Sequence, residues 1–182
     1  MLEHFSDSLH FTMLFDDLLG DLLDAGFQSL SETFKHDDSS YDFVKLIVDE
    51  ANGDMLSFLL YKCGETYLWE RKNWYKQSDL SKISNPINSL KYIGQKIIPN
   101  IIEQQGVTKL EESNEIFSLG ESLLKLDSNE KSDMIVIDGT EYFLQIKLND
   151  IRKDFKWKAI PYGWNNVEII SNKIIELNNK IY

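Results

Sequence analysis

Along residues 9–27 the apolar side chains Phe11, Leu14, Phe15, Leu18, Leu19, Leu22 and Leu23 recur every three or four positions, the period of a helix with one buried stripe. Gly26 stands where such a helix would stop. The period then changes. Within residues 42–50, Val44, Leu46 and Val48 alternate with Phe43, Lys45 and Ile47, and the run meets Asn52-Gly53, a dipeptide suited to the positive φ angles of a two-residue hairpin turn. The spacing predicts a return strand over 55–61, a second reversal at Cys63-Gly64-Glu65 and a third strand over 66–70. Residues 73–86 are mostly polar and read as a connection. Asn85-Pro86 is expected to open a second helix carrying Ile87, Leu90, Ile93, Ile97 and Ile98, ended by Pro99.

Beyond Gly106 a loop is expected near 106–115, and it is the only place to divide the chain into two packed halves. Residues 116–126 fit either a strand or a short helix, with Gly120 weakening both. Residues 134–137 and 141–148 predict a hairpin across Asp138-Gly139, and the alternating run Phe155-Lys156-Trp157-Lys158-Ala159 predicts a further strand ending at Pro161. Val167, Ile170, Ile174, Leu177 and Ile181 step by three and four in a closing helix. The order is helix, three strands, helix, up to four strands, helix. Short connections between successive strands imply antiparallel meanders, so the fold class is α+β, with residues 1–182 as a single compact domain. The expected core includes Leu18, Leu22, Leu46, Leu59, Ile135, Leu144, Ile170 and Ile174.

Charge changes this picture. The chain has 182 residues with 30 acidic and 19 basic side chains, a formal net charge of −11. Thirteen of the acidic groups but only Lys35 and Lys45 among the basic ones fall within residues 1–60, so the entire net charge sits in the first third. That balance argues against direct binding to nucleic acid through the protein's own field. No apolar run approaches the roughly 20 residues of a membrane span, and no leader of signal-peptide type is evident, so a soluble cytoplasmic protein without membrane association is expected. The one cysteine, Cys63, excludes an internal disulfide, and His4, His10 and His36 match no metal-ligand spacing. Phosphate-binding glycine loops, a GxSxG elbow, HExxH and calcium-loop spacing are all missing.

Within the first helix Asp17, Asp21 and Asp24 lie within about 60° of one another, opposite the apolar arc, with Asp16 to one side. Like charges at this spacing cost a helix only a few tenths of a kcal/mol, so a solvated face tolerates them. Segregated charge on a small α+β chain without a catalytic set resembles, in type, the immunity proteins of bacterial toxin systems and other acidic inhibitors. The resemblance implies a basic protein partner, such as a nuclease toxin or another nucleic-acid-acting effector, whose phosphate-binding cleft carries Lys and Arg. Asp16, Asp17, Asp21, Asp24, Asp37, Asp38 and Asp42 would meet those cations. Trp74 and Tyr75 would supply aromatic anchors. No cofactor or metal is implied.

A second constellation lies in residues 132–147, SDMIVIDGTEYFLQIK, which resembles the signature of the PD-(D/E)xK nucleases. By that resemblance Asp133 would bind a divalent cation such as Mg, Gln145 would occupy the second-ligand position, and Lys147 would polarise the attacking water. Glu121 or Glu115 would add a carboxylate. Register decides whether the set assembles. A two-residue turn at Asp138-Gly139 sends Asp133 to the face opposite Gln145 and Lys147, whereas a three-residue bulged loop brings it to the same face.

Overall fold

The computed structural model describes residues 3–32, 41–51, 53–85, 90–92, 95, 97–108, 110–125, 139–160 and 163–181. Their elements run α1 (Glu3–Ser31), β1 (Phe43–Asp49), β2 (Met55–Cys63), β3 (Thr66–Trp74), α2 (Lys76–Ile83), a 3-10 turn (Leu90–Tyr92), β4 (Ile101–Thr108), α3 (Leu110–Leu123), β5 (Glu141–Leu148), β6 (Ile151–Trp157) and α4 (Asn165–Lys180). The strands form one antiparallel sheet in the order β4-β3-β2-β1-β5-β6, which establishes the α+β class with flanking helices. None of the described helices is long and apolar enough to cross a membrane.

Strand alternation divides the core in two. Val44, Leu46, Phe58, Leu60, Tyr67, Leu144, Ile146, Phe155 and Trp157 point to the face covered by α3 and α4, where Ile116, Leu123, Val167, Ile170, Ile174 and Leu177 complete a dry layer. The opposite face carries Ile47, Met55, Trp74 and Phe143, and receives Leu18, Leu22 and Leu30 of α1 with Ile83 of α2. Each large side chain so buried contributes about 1.5–3 kcal/mol. The expected core residues Leu18, Leu22, Leu46, Leu59, Leu144, Ile170 and Ile174 are all buried; Ile135 lies outside the described residues.

Several expectations are corrected. Gly26 does not end α1, which continues to Ser31. The glycine lies flat against the Trp74 ring, and a Cβ there would collide with it. β3 extends to Trp74, and the helix that follows occupies Lys76–Ile83, ahead of the expected site. Of the residues placed in that later helix, Leu90 is in the 3-10 turn and Ile97 and Ile98 are non-helical, while Ile87 and Ile93 lie outside the described residues. The expected loop at 106–115 is strand and helix, because β4 pairs along the whole of β3 before α3 begins; residues 116–123 are helical. Both edges of β5 are occupied, by β1 and by β6, with Tyr142 opposite Val48 on one side and Trp157 on the other. Its hairpin therefore turns at Asn149-Asp150, whose φ angles of 51° and 65° are those of a type I′ turn, and not across Asp138-Gly139. Residues 134–137 lie outside the described residues.

Asp79 ties the α2 side together. Its carboxylate accepts from Trp74 Nε1 at 2.9 Å, from the Asn100 backbone N–H at 2.7 Å and from Lys82 Nζ at 2.6 Å. Burial alone would raise its pKa, but these three donors outweigh burial and hold it below the ordinary carboxylate value.

Two predictions follow from this packing. Gly26→Ala, which in an open helix would gain up to about 1 kcal/mol, should here lower stability by about 1–3 kcal/mol through overpacking on Trp74, read from urea unfolding. Because the Asp79 pKa is depressed on folding, its contribution is present above the unfolded carboxylate value near 3.9 and lost as pH falls through the folded one. Asp79→Asn should therefore flatten the stability-versus-pH curve below about pH 4 relative to wild type.

Candidate functional site

The acidic helix is held by charges of the opposite sign inside the protein. α1 has no basic residue in its last turn, and its final carbonyls would face the sheet unpaired. Lys45 of β1 donates from Nζ to the Ser31 carbonyl at 2.7 Å and the Glu32 carbonyl at 3.4 Å. Lys72 of β3 donates to the Ser29 carbonyl at 3.2 Å and the Glu32 carbonyl at 3.0 Å. Both lysines are buried, at 1% and 7% exposure. Two ammonium groups at the negative end of a helix macrodipole satisfy those carbonyls and fix the helix against the sheet. Glu70, at 3.3 Å from Lys72, and the more exposed Glu103, at 3.7 Å, balance one of the charges.

With α1 so anchored, the line Leu18, Leu22, Gly26, Leu30 faces the sheet, and Asp16, Asp17, Asp21 and Asp24 are all exposed. Asp17 and Asp24, seven residues apart, point away from the sheet, with Asp21 and Asp16 on the two flanks. None of the ion pairs among the described residues involves any of the four. The basic strand β6 does not neutralise them: Arg152 pairs with Asp154, and Lys156 with Glu141. Tyr75 is exposed beside α2. Trp74 is corrected as a partner anchor, since it is fully buried under Gly26 with its indole N–H on Asp79. Asp37 and Asp38 lie outside the described residues.

Asp42 belongs to a different place. At the end of the sheet where β1 starts and β2 and β5 finish, a polar cleft of about 300 Å³ is lined by Tyr41, Asp42, Lys62, Lys147, Asn149 and Asp150. It adjoins a second cleft of about 260 Å³ that shares Asp42, Lys62 and Asn149 and reaches Asn114 and Glu121 on α3. Asp42 Oδ1 accepts the Asn149 backbone N–H at 2.8 Å, closing the type I′ turn onto the start of β1. The sequence gives no hint of this meeting, because its two sides are about a hundred residues apart.

The nuclease set is only partly gathered there. Lys147 and Glu121 reach adjoining clefts, but they come from opposite layers: Lys147 with Gln145 projects to the α1 side of the sheet, and Glu121 rides on the helix covering the other side. Gln145 is buried opposite Lys45 in the β1–β5 ladder. Asp133 lies outside the described residues, and no group of three or more metal-ligating side chains forms among those described. Glu115 is paired with Lys173 at 2.7 Å. Asp49, the last residue of β1, is held by Lys76 Nζ at 2.6 Å. No family model, curated protein or solved structure matches the chain.

The arrangement can present fixed negative charge and pair with cations. Lys45→Met should remove a donor from the two carbonyls at the end of α1 and lower stability by about 1–3 kcal/mol. The loss should be local first: amides of residues 28–32 should gain hydrogen-exchange rate before those of β1 and β2. Uniform loss of protection across the sheet would show that the lysine does not act at the helix end.

Proposed function

We propose that this chain is an acidic inhibitor of immunity type, binding a basic nucleic-acid-acting protein through the outward face of α1. The observation that carries the reading is the exposed set Asp16, Asp17, Asp21 and Asp24, free of internal ion pairs among the described residues, on a helix locked to its sheet by two buried lysines. A cleft built for phosphates presents Lys and Arg. Carboxylates held at fixed spacing on a rigid helix pair with such cations at little ordering cost, steer encounter and set register. Tyr75, exposed at the start of α2, and the half-exposed Leu23 and Phe27 of α1 supply apolar contact beside the charge. The segregation of −11 into the first third supports the same reading, since solubility alone does not require it. Asp42 faces the end of the sheet, so it is set apart from this surface.

Proteins recovered by the wild-type chain from its source cells should include a basic nucleic-acid-acting partner. Against that purified partner, reversing Asp17, Asp21 and Asp24 to lysine should lower the association rate by about tenfold or more and flatten its dependence on ionic strength. The circular dichroism spectrum should be unchanged, because all three side chains are exposed. Equal recovery and equal rates for the two proteins would overturn the reading.

A further inference from the structure

The two edges of the sheet are protected very differently. β6 carries Arg152, Lys153, Asp154 and Lys156, charged side chains of the kind that keep an edge strand from pairing with another chain. β4, with the sequence IIEQQGVT, has one charge in eight residues. It is exposed on both faces, and Ile102 and Val107 stand 48% and 66% exposed, preceded by Ile98 at 82%. Its outer edge is unpaired among the described residues. Soluble proteins blunt such edges or use them.

We propose that β4 pairs antiparallel with β4 of a second copy, joining two six-stranded sheets into one across a two-fold axis normal to the sheet. Such an axis keeps each face continuous, so even-numbered residues meet even-numbered ones and odd meet odd. The register with Gln104 opposite itself satisfies every side chain. It places Ile101 beside Val107 of the second copy on the α1 side, and Ile102 beside Gly106 of the second copy on the other. Gly106 lies directly over Trp69, where a Cβ would come within 2.7 Å of the ring, so the indole occupies the space over the glycine and the incoming isoleucine packs against the indole's edge. The charges also match. Glu103 falls opposite Gln105 of the second copy, whose amide already donates one N–H to Glu70 at 3.3 Å and has a second to give. A polar chain Lys72, Glu70, Gln105, then Glu103 and Lys72 of the other copy closes on itself through the axis, with no like charges opposed. Shifting the axis by one residue to Gln105 would set Glu103 against Val107. A foreign strand would find only the single charge of Glu103 on β4 to select it, whereas β4 itself meets all of these requirements.

An interface of one strand per copy is small, which places the dissociation constant on the micromolar scale. Sedimentation equilibrium should find the mass rising from one chain to two with concentration. Association should strengthen with added salt, since each copy carries −11 and screening removes their repulsion; partner binding through α1 has the opposite salt dependence. Val107→Lys and, independently, Ile102→Lys should raise the dissociation constant about tenfold or more while leaving the circular dichroism spectrum and unfolding midpoint in place. Ile151→Lys, on the other edge, should leave the dimer intact. A chain that stays monomeric at all accessible concentrations would overturn the proposal and leave the edge to a foreign strand or to solvent. So would a dimer that Val107→Lys and Ile102→Lys do not weaken, or one that Ile151→Lys abolishes.

Discussion

A helix of 29 residues laid across a sheet must end somewhere, and here it ends over two buried ammonium groups. That contact is costly in isolation, because each lysine leaves water to reach it. It persists because the partners are fixed: helix carbonyls on one side, and for Lys72 a buried carboxylate at 3.3 Å. Much else is arranged around it. The sheet beneath α1 can hold Lys45, Ser57, Glu70, Lys72 and Gln145 only because the helix supplies acceptors and a lid. The apolar contact of α1 then reduces to a narrow line of leucines with Gly26 pressed on Trp74, and the remaining surface of the helix is left to face outward. Opposite charges thus play two parts in one element, positive inside at the C-terminus and negative outside along the length.

The periodic segments were legible in the sequence, and the reasons are specific. β1 and β2 are apolar runs that pair on either side of the hairpin signal Asn52-Gly53, with Asp49 opposite Met55, and α4 keeps its three-and-four spacing over sixteen residues, so in both cases local pattern and tertiary packing agree. Pattern failed where partners are remote. β4 has no alternation to read because most of its side chains on both faces are exposed, and α2 is short and mostly polar, with Lys76 buried against Asp49 and Asp79 against the Asn100 N–H, groups that only the fold brings near. The Asn149-Asp150 turn was hidden because its signal is weaker than Asp138-Gly139, although the ladder on both sides of β5 leaves it as the hairpin.

Of the candidate surface, the carboxylates were legible and their anchor was not. Helical spacing alone placed Asp17, Asp21 and Asp24 away from the apolar arc, and they are exposed. A lysine flanked by Val44 and Leu46 in an alternating strand reads as a solvent-facing residue, since nothing in residues 42–50 reveals that a helix end will cover that face. Trp74 illustrates the converse: a tryptophan entering a polar stretch looks like an anchor for a partner until Gly26, forty-eight residues earlier, is seen to make room for it. Asp42 likewise drew its meaning from Asn149 and not from its acidic neighbours.

The central position of β1 has a consequence for how the protein is made. One neighbour, β2, follows it directly, but the other, β5, lies about a hundred residues later, with Phe43 opposite Lys147. At ribosomal elongation rates of about 5–20 residues per second, that separation is an interval of about 5–20 s in which β1 exists without its second neighbour. During it this strand, buried along most of its length in the finished sheet, has a bare edge, next to a nascent chain still threading out. A holdase chaperone acting on this chain would find its task there, in the wait between the meander and the strand that seals it.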